Sequence, residues 1–259
     1  MNNDTYDHAP GIRRSDLWVM NKSPLHFRYH MDAEKEQTKA LAFGSAAHKY
    51  ILEKDDFYNA YVIAPTVDRR TKEGKEAWAR CQEYAEEHGV EILPEADFDT
   101  IREMAKVIES DPLAVQLLTG KHELAFAWTD PETGEECKVK TDCITEYNGM
   151  PYIVDYKTTD SCEDGHFERA ARKFGYGFQA GMYCEGLFQN TLEEHGFAFV
   201  AQEKTAPYAV RVYVCDKGFI ERGYDKFREL IGIYHSCKET GNWYGYGGPD
   251  GAPVELVEE

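Results

Sequence analysis

The stretch Ile153-Val154-Asp155-Tyr156-Lys157-Thr158-Thr159 decides which fold this sequence predicts. Its apolar and β-branched residues predict a strand, and Asp155 and Lys157, two positions apart, project from the same face of that strand. The hairpin turn Asn148-Gly149 places Asp142 on the preceding strand. If these strands pair, the two carboxylates come close together, and two carboxylates at one site repel unless a cation joins them.

A hard cation with oxygen ligands, Mg²⁺ or Mn²⁺, suits such a carboxylate pair. A lysine beside the cation can orient a bound water, stabilise a hydroxide or stabilise charge on a phosphate. By itself, however, Asp-x-Lys is a common pattern that more often marks a surface ion pair. The interpretation as a catalytic centre therefore depends on the rest of the sequence.

The period of the apolar residues predicts a mixed α/β domain of the α+β type, with a helical N-terminal portion. Ser15 and Ser23 are expected to cap the first two helices, and Gly89 to end another. Further helices are predicted at 40–53, 71–89, 94–109, 163–173, 177–192 and 216–239, with a shorter one from Pro112. Extended segments are predicted at 57–64, 122–129, 136–146, 151–157, 196–203 and 207–214.

Neither a repeat nor a long linker interrupts this pattern, so the sequence predicts one domain over residues 1–259. Within it, residues 1–120 form a mainly helical N-terminal portion and residues 121–240 a catalytic core. Residues 241–259 form an acidic C-terminal tail. The 42% of hydrophobic residues exclude a disordered chain.

The chain is strongly acidic, and the acidity is uneven. Its 259 residues carry a net charge of −18, which on charge alone argues against nucleic acid as a partner. Yet residues 81–136 hold 15 acidic and 3 basic residues, and the last ten hold 4 acids and no base. The first 80 residues carry 13 basic and 12 acidic residues. The sequence therefore predicts a polarised surface, in which the acidic segment lies away from the functional site.

Neither a signal peptide nor an apolar run long enough to cross a membrane is visible, so we expect a cytoplasmic protein without a membrane partner. Seven cysteines occur at irregular spacings, and no C-x-x-C pattern is present. This pattern predicts reduced, mostly buried thiols and no zinc ribbon.

The ordered combination of several motifs resembles the PD-(D/E)xK nuclease superfamily, in the branch of the RecB nuclease domain and lambda exonuclease. Gly44-Ser45-Ala46-Ala47-His48 resembles the G-x-x-x-H helix motif of that branch, and Gln179-Ala180-Gly181-Met182-Tyr183 its Q-x-x-x-Y motif. The segment 128–134, Trp-Thr-Asp-Pro-Glu-Thr-Gly, is similar to the RecE-like exonucleases (exonuclease VIII). The resemblance covers roughly residues 8 to 240. It implies a restriction-endonuclease-like core, with helices flanking a central mixed sheet.

The resemblance also implies roles for individual residues. Lys157 matches the catalytic lysine, and Gln179 and Tyr183 match a helical pair that contacts the scissile phosphate region. The implied metal ligands are His48, Asp142, Asp155, the backbone carbonyl of Tyr156 and, for a second ion, Glu123. Glu123 remains equally compatible with an exposed acid near a strand start, and Tyr183 with a buried structural ring. Because related cluster-binding nucleases group three cysteines near the C-terminus, where only Cys237 lies here, no iron–sulfur cluster is expected.

For function, the resemblance implies hydrolysis of linear double-stranded DNA with one or two Mg²⁺ or Mn²⁺ ions, in the 5′→3′ direction. It also implies a ring-like homo-oligomer such as a tetramer, and a single-strand annealing recombination protein that uses the 3′ overhangs, as in phage recombination. Basic side chains are candidates for the DNA path, although ordinary solvated surface explains them equally well. They are Arg69, Arg70, Lys72, Lys75, Arg169, Arg172 and Lys173.

Three other functions remain open from the sequence. The acidity also fits a non-catalytic DNA mimic that inhibits a nuclease, which would carry no divalent-metal site. A degenerate family member could bind DNA ends without cutting them, although the intact Asp142, Asp155 and Lys157 argue against that. An endonuclease of the same superfamily would carry the same residues.

Overall fold

A computed structural model describes Tyr6, residues 8–33 and residues 38–253. The strands in this part of the chain are β1 (Ile12–Arg13), β2 (Tyr61–Ile63), β3 (Glu91–Leu93), β4 (Lys121–Thr129), β5 (Glu136–Tyr147), β6 (Met150–Thr159), β7 (Gly196–Glu203) and β8 (Val210–Val214). The helices are α1 (Arg14–Trp18), α2 (Pro24–Asp32), α3 (Lys39–Leu52), α4 (Lys72–His88), α5 (Glu95–Ser110), α6 (Pro112–Leu118), α7 (Asp164–Phe174), α8 (Tyr176–Thr191) and α9 (Lys217–Thr240).

The central sheet is mixed, as the sequence predicts. Strands β4, β5 and β6 form an antiparallel meander. After α7 and α8 the chain returns as β7, parallel to β6, and β8 then pairs antiparallel with β7. Strand β1 pairs parallel with the start of β5. The short strands β2 and β3 form a separate parallel pair.

Helices cover both faces of this sheet, which confirms the predicted fold class. On one face, Val154 and Tyr156 of β6 pack with Ala46 and Ala47 of α3 in one hydrophobic cluster. On the other face, Ile153 packs in a second cluster that includes residues of α8 and α9. The functional side chains of β6 therefore lie between two well-packed layers, which limits their freedom to move.

Strands β5 and β6 separate next to Asp142 and Asp155. Their ladder ends at the pair Cys143–Val154, and the next pair in the same register would be Asp142 and Asp155. At its N-terminal end, β5 pairs with β1 instead, with Ile12 opposite Cys137. The two carboxylates thus lie where β6 leaves β5, and this fork creates room for side chains between two strands of one sheet.

Most helix ends follow the chemistry that the sequence predicts. The Ser23 hydroxyl accepts a hydrogen bond from the backbone N–H of His26 and caps α2 (3.2 Å). Gly89 ends α4 in the left-handed region, with φ of +65°, where a side chain would be strained. The predicted cap at Ser15 is wrong. Helix α1 begins at Arg14, with Arg13 as its N-cap, because β1 leads directly into the helix two residues earlier than predicted.

The predicted extended segment 57–64 is also wrong in its first half. Lys54–Asn59 is a 3₁₀ helix, and only Tyr61–Ile63 is a strand. Tertiary packing decides this outcome, because Phe57 is completely buried and stacks on Phe98 of α5 at a centroid distance of 5.6 Å. Strands β1 and β3 were not predicted, since two or three residues are too few to show an alternating pattern.

The turn between β4 and β5 is held by a buried carboxylate. Asp130 is fully buried, and it accepts hydrogen bonds from the Thr133 backbone N–H (2.9 Å) and hydroxyl (2.6 Å). It also accepts two from the guanidinium of Arg228, which fastens α9 to the hairpin. Burial alone would raise the pKa of Asp130, but the bonds from Arg228 and Thr133 outweigh it and hold the pKa below its ordinary value.

We expect Asp130→Asn to lower the free energy of unfolding by about 3 kcal/mol at pH 7, because it leaves the Arg228 cation without its buried partner. Since the folded-state pKa is depressed, the carboxylate stabilises the fold fully above about pH 4 and loses this effect as the pH falls further. Urea unfolding at pH 7 and pH 3 should therefore show a smaller penalty in acid. Glu132→Gln is the control, because the exposed Glu132 also pairs with Arg228 (2.9 Å) and should contribute less than about 1 kcal/mol. Equal penalties for Asp130→Asn at both pH values would contradict this account.

All seven cysteines are free thiols. In the described part of the chain, no helix is both long enough and apolar enough to cross a membrane. Of the acids in the predicted C-terminal tail, Glu255, Glu258 and Glu259 lie outside the described residues.

Candidate active site

Asp155 and Lys157 lie side by side on β6, as their spacing predicts. The Lys157 Nζ is 2.6 Å from Asp155 Oδ2. The other carboxylate oxygen, Oδ1, accepts a hydrogen bond from the side-chain amide of Gln179 on α8. Asp155 is only 4% exposed, so this carboxylate is held from two sides and cannot rotate into solvent.

Asp142 projects from β5 into the site. Its side chain bonds to the backbone of β6 where the backbone ladder between the two strands has ended. Its Oδ2 accepts a hydrogen bond from the backbone N–H of Tyr156 (2.8 Å). The same oxygen lies 3.4 Å from His48 Nδ1. The His48 ring meets the Tyr156 ring edge-on, with the centroids 5.0 Å apart. Tyr156 in turn donates its hydroxyl to the buried side chain of Gln202 (2.7 Å), which fixes the ring against which His48 packs.

The electrostatics of the site favour a cation. Burial, together with the charge of Asp155, raises the pKa of Asp142 well above its usual range. Burial lowers the pKa of His48 to about 4, so its imidazole is neutral at pH 7 and keeps a lone pair for a metal. Two carboxylates that destabilise each other's charge gain most from a divalent cation placed between them.

Tyr183 lies one helical turn after Gln179 on α8 and shares its environment. Burial raises the pKa of Tyr183 well above its ordinary value, and the charges of Asp155 and Asp142 act in the same direction. Its hydroxyl therefore remains a hydrogen-bond donor at any physiological pH. The structure thus brings together five predicted residues around Asp155: His48, Asp142, Lys157, Gln179 and Tyr183.

Glu123 lies near this group but faces a lysine. Its Oε2 is 2.5 Å from Lys140 Nζ, and its backbone has φ of +54°, an unusual conformation for a residue with a side chain. The charge of Glu123 contributes to the raised pKa of Asp142, so the two carboxylates are neighbours. This position suits an additional acidic group of the site, although the Glu123 carboxylate is engaged in an ion pair with Lys140.

An open cleft of about 520 Å³ reaches the side of the site that carries His48 and Asp142. His48, Glu123, Lys140 and Asp142 line it, together with small residues of α3 that include Gly44. Among the described residues outside α3, only Thr158, through its hydroxyl, lies within 4 Å of the position that a Gly44 side chain would take. Of the strongly acidic segment 81–136, which the structure describes in full, Glu123 alone lines the cleft.

The predicted basic residues fall into two separate groups. Arg69, Arg70, Lys72 and Lys75 belong to α4 and the loop before it, and none of them lines the cleft. Arg69 stacks on Trp78, with its guanidinium carbon 3.3 Å from the ring centroid. Arg169, Arg172 and Lys173 are exposed on α7, just before Tyr176, whose ring centroid is 5.2 Å from the Lys157 ammonium.

The donor set fits a divalent cation. Asp155 Oδ2 is buried and accepts no hydrogen bond of ordinary geometry from the described residues, although the Lys157 ammonium lies beside it. Carboxylate oxygens with one neutral imidazole suit Mg²⁺ or Mn²⁺. Among the residues described, no three His, Cys, Asp or Glu side chains form a finished metal cage. A bound cation would therefore have to draw His48, Asp142 and Asp155 together.

Sequence reasoning missed two cations of the site. Lys140 lines the cleft beside Glu123. Arg14 donates through Nη2 to the carbonyl oxygens of Phe174 and Gly175, where α7 meets α8. Its positive charge acts on Asp155 and Tyr183, and its buried Nε has no hydrogen-bond partner in the described part of the chain.

Three comparisons place these observations among known proteins. The family described as "PDDEXK-like domain of unknown function (DUF3799)" matches residues 14–249. A crystal structure of a candidate exonuclease from Eubacterium rectale superposes with a TM-score of 0.64 at 16% identity, covering 100% of this chain and 96% of that one. The crystal structure of SSO0001 covers 83% of this chain and 85% of its own at 14% identity, with a TM-score of only 0.30. No curated protein matches the sequence significantly.

Proposed function

This chain belongs to the PDDEXK-like domain family, and from that premise we propose that it is a divalent-metal-dependent DNA exonuclease of the RecE-like kind. It would hydrolyse phosphodiester bonds of linear double-stranded DNA from the 5′ end. The observation that carries the proposal is the convergence of Asp142 and Lys157 around the buried Asp155, at the fork between β5 and β6. The structural likeness to a candidate exonuclease from Eubacterium rectale adds support to the substrate class.

The protein's own groups have distinct tasks in this mechanism. Asp142, Asp155 and His48 would hold the cation, with the carbonyl of Tyr156 and, for a second ion, Glu123. When bound, Mg²⁺ or Mn²⁺ supplies Lewis-acid activation of the attacking water and neutralises charge on the phosphate. Lys157 has an ammonium beside Asp155, from which it can orient the water or donate to a phosphate oxygen.

The residues of α8 complete the site from the other side. Gln179 donates to Asp155 Oδ1 and, with Lys157 beside Oδ2, would hold this carboxylate in place for a bound cation. Tyr183 keeps its proton because its pKa is raised, so it can donate a hydrogen bond to a phosphate oxygen in the transition state. Gln179 thus has a positioning role, while Tyr183 would donate directly to the phosphate.

The proposed assembly and partners follow from the same premise. A ring-like homo-oligomer, for example a tetramer, would enclose the DNA, and the 3′ overhang would pass to a single-strand annealing protein. The acidity of residues 81–136 suits an outer face that repels unproductive DNA contacts. In the cleft itself, the cations Lys140 and Lys49 pair with the lining acids Glu123 and Glu53.

Digestion of end-labelled linear duplex DNA tests the proposal. We expect Mg²⁺ or Mn²⁺ to support digestion, EDTA to stop it, and a 5′ label to be released before a 3′ label. A closed circular duplex of the same sequence is the control, and we expect it to resist. Cutting of the circle would identify an endonuclease instead. No digestion of either substrate with any divalent metal would contradict the proposal and favour a non-catalytic DNA mimic.

A further inference from the structure

A groove of about 430 Å³ lies between helices α7 and α9. Its walls include the partly exposed rings of Trp18 and Phe219. Gly175 and Gly177, at the start of α8, line it as well. Gly175 packs closely against the Trp18 ring, where an added Cβ would lie 2.5 Å from a ring atom, and Gly177 lies next to the Phe219 ring.

Three cations line the same groove: Arg172 of α7, and Arg222 and Lys226 of α9. Arg222 forms no ion pair with any described residue, and Arg172 lies 3.9 Å from Glu168 with both side chains mostly exposed, a weak pair. Lys226 pairs with the exposed Glu229 at 2.9 Å. Glu168 is the only acidic residue among the lining residues described. This concentration of positive charge stands out in a chain with a net charge of −18.

The groove connects to the candidate active site through the turn between α7 and α8. Gly175 lines the groove, and its carbonyl oxygen accepts a hydrogen bond from Arg14 (2.8 Å), whose charge acts on Asp155. The next residue, Tyr176, lies against the Lys157 ammonium. The turn between α7 and α8 therefore places the groove one residue along the chain from the ring that meets the catalytic lysine.

The geometry points to a binding groove for a single DNA strand, in which Arg172, Arg222 and Lys226 hold phosphates and the rings of Trp18 and Phe219 contact unpaired bases. A cationic rim complements the phosphate backbone, and aromatic rings stack on bases only when those bases are not covered by a complementary strand. The inference rests on the proposed function, since it adds to that active centre a place for one strand of its substrate.

Binding measurements on an inactive protein test the groove without relying on catalysis. A fluorescein-labelled single-stranded oligonucleotide is titrated with Asp155→Asn protein, and fluorescence anisotropy is followed over a range of salt concentrations. Adding Arg222→Gln and Lys226→Gln together should raise Kd about tenfold or more at low salt. The slope of log K against log salt should flatten by about 1.4, since each phosphate contact on a single strand contributes about 0.7.

A matched control variant removes two positive charges from another surface of the protein. Arg102→Gln with Lys106→Gln takes two exposed cations from α5, which packs in the cluster on the other face of the sheet. This pair should leave Kd and the salt slope within twofold of the parent. If both double variants change Kd and the salt slope equally, the proposed binding groove is wrong. Weakened duplex binding with unchanged single-strand binding would overturn its assignment to a single strand.

The two proposals can fail separately. If the wild-type protein digests linear DNA but the groove variant binds like the control, the nuclease function stands and the groove is wrong. If the wild-type protein digests no DNA with Mg²⁺ or Mn²⁺, the nuclease function is wrong, while the titrations still decide whether the groove binds a strand.

Discussion

Replacing Asp155 by asparagine is expected to lower DNA hydrolysis by about a thousandfold or more, because it removes a charge on which both the metal and the lysine depend. Asparagine has nearly the same shape, so the amide can still accept the hydrogen bond from Gln179. What it loses is the negative charge that faces the Lys157 ammonium at 2.6 Å. Initial rates on linear duplex DNA with Mg²⁺ measure the effect.

The same substitution should change the stability of the metal-free fold little. The charge of Asp155 disfavours the charge of Asp142, and a neutral side chain removes that repulsion. The substitution also removes the ion pair with Lys157, and this loss offsets the gain. Thermal unfolding in EDTA should therefore show a similar Tm for Asp155→Asn and the wild type. Adding Mn²⁺ should raise the Tm of the wild type but not of the variant, because only a ligand that binds the folded state stabilises it.

Glu193→Gln is a suitable control for this experiment, because it removes one carboxylate from the exposed loop after α8. It should keep both the hydrolysis rate and the Mn²⁺-dependent rise in Tm. Wild-type activity in Asp155→Asn would remove Asp155 from the catalytic centre. A large loss of Tm in EDTA would instead show that the carboxylate has a mainly structural role.

Gly223→Ala is expected to lower the free energy of unfolding by at least about 3 kcal/mol, because helices α8 and α9 cross in backbone contact at this residue. A Cβ at Gly223 would lie 1.8 Å from the carbonyl oxygen of Gly177. A Cβ at Gly181 would likewise lie 2.1 Å from the backbone nitrogen of Tyr224. Backbone atoms cannot rotate away, so the two helices would have to separate. Urea unfolding measures the loss.

Activity should fall together with stability, because α8 carries Gln179 and Tyr183 to Asp155. Gly232→Ala on α9 is the matched control: in the described part of the chain, no atom beyond the neighbouring helix backbone lies within 4 Å of its added methyl group. That substitution should stabilise the protein by up to about 1 kcal/mol, since alanine favours the helix more than glycine does. Similar unfolding curves for the two alanine variants would contradict the close crossing of α8 and α9.

Local patterns were enough to predict much of the candidate site. Alternation and the Asn148-Gly149 turn fix the register of the β5–β6 hairpin, so Asp142 and Asp155 fall opposite each other whatever surrounds them. The spacing of Gln179 and Tyr183 likewise places both on one face of α8. These relations depend only on backbone geometry within some twenty residues, and for this reason a sequence can predict them.

Tertiary structure alone decided which distant segments complete the site. Arg14 contacts residues 160 positions later in the chain, and no local period encodes such a contact. Lys140 lines the cleft only because β5 and α3 lie together there, and Arg222 joins Arg172 in one groove only because α7 and α9 lie side by side. The sequence by itself thus determined the fold class and the paired carboxylates, because these follow from periodicity and turns. Packing determined the cations around them, because long-range contacts form only when whole helices and strands meet.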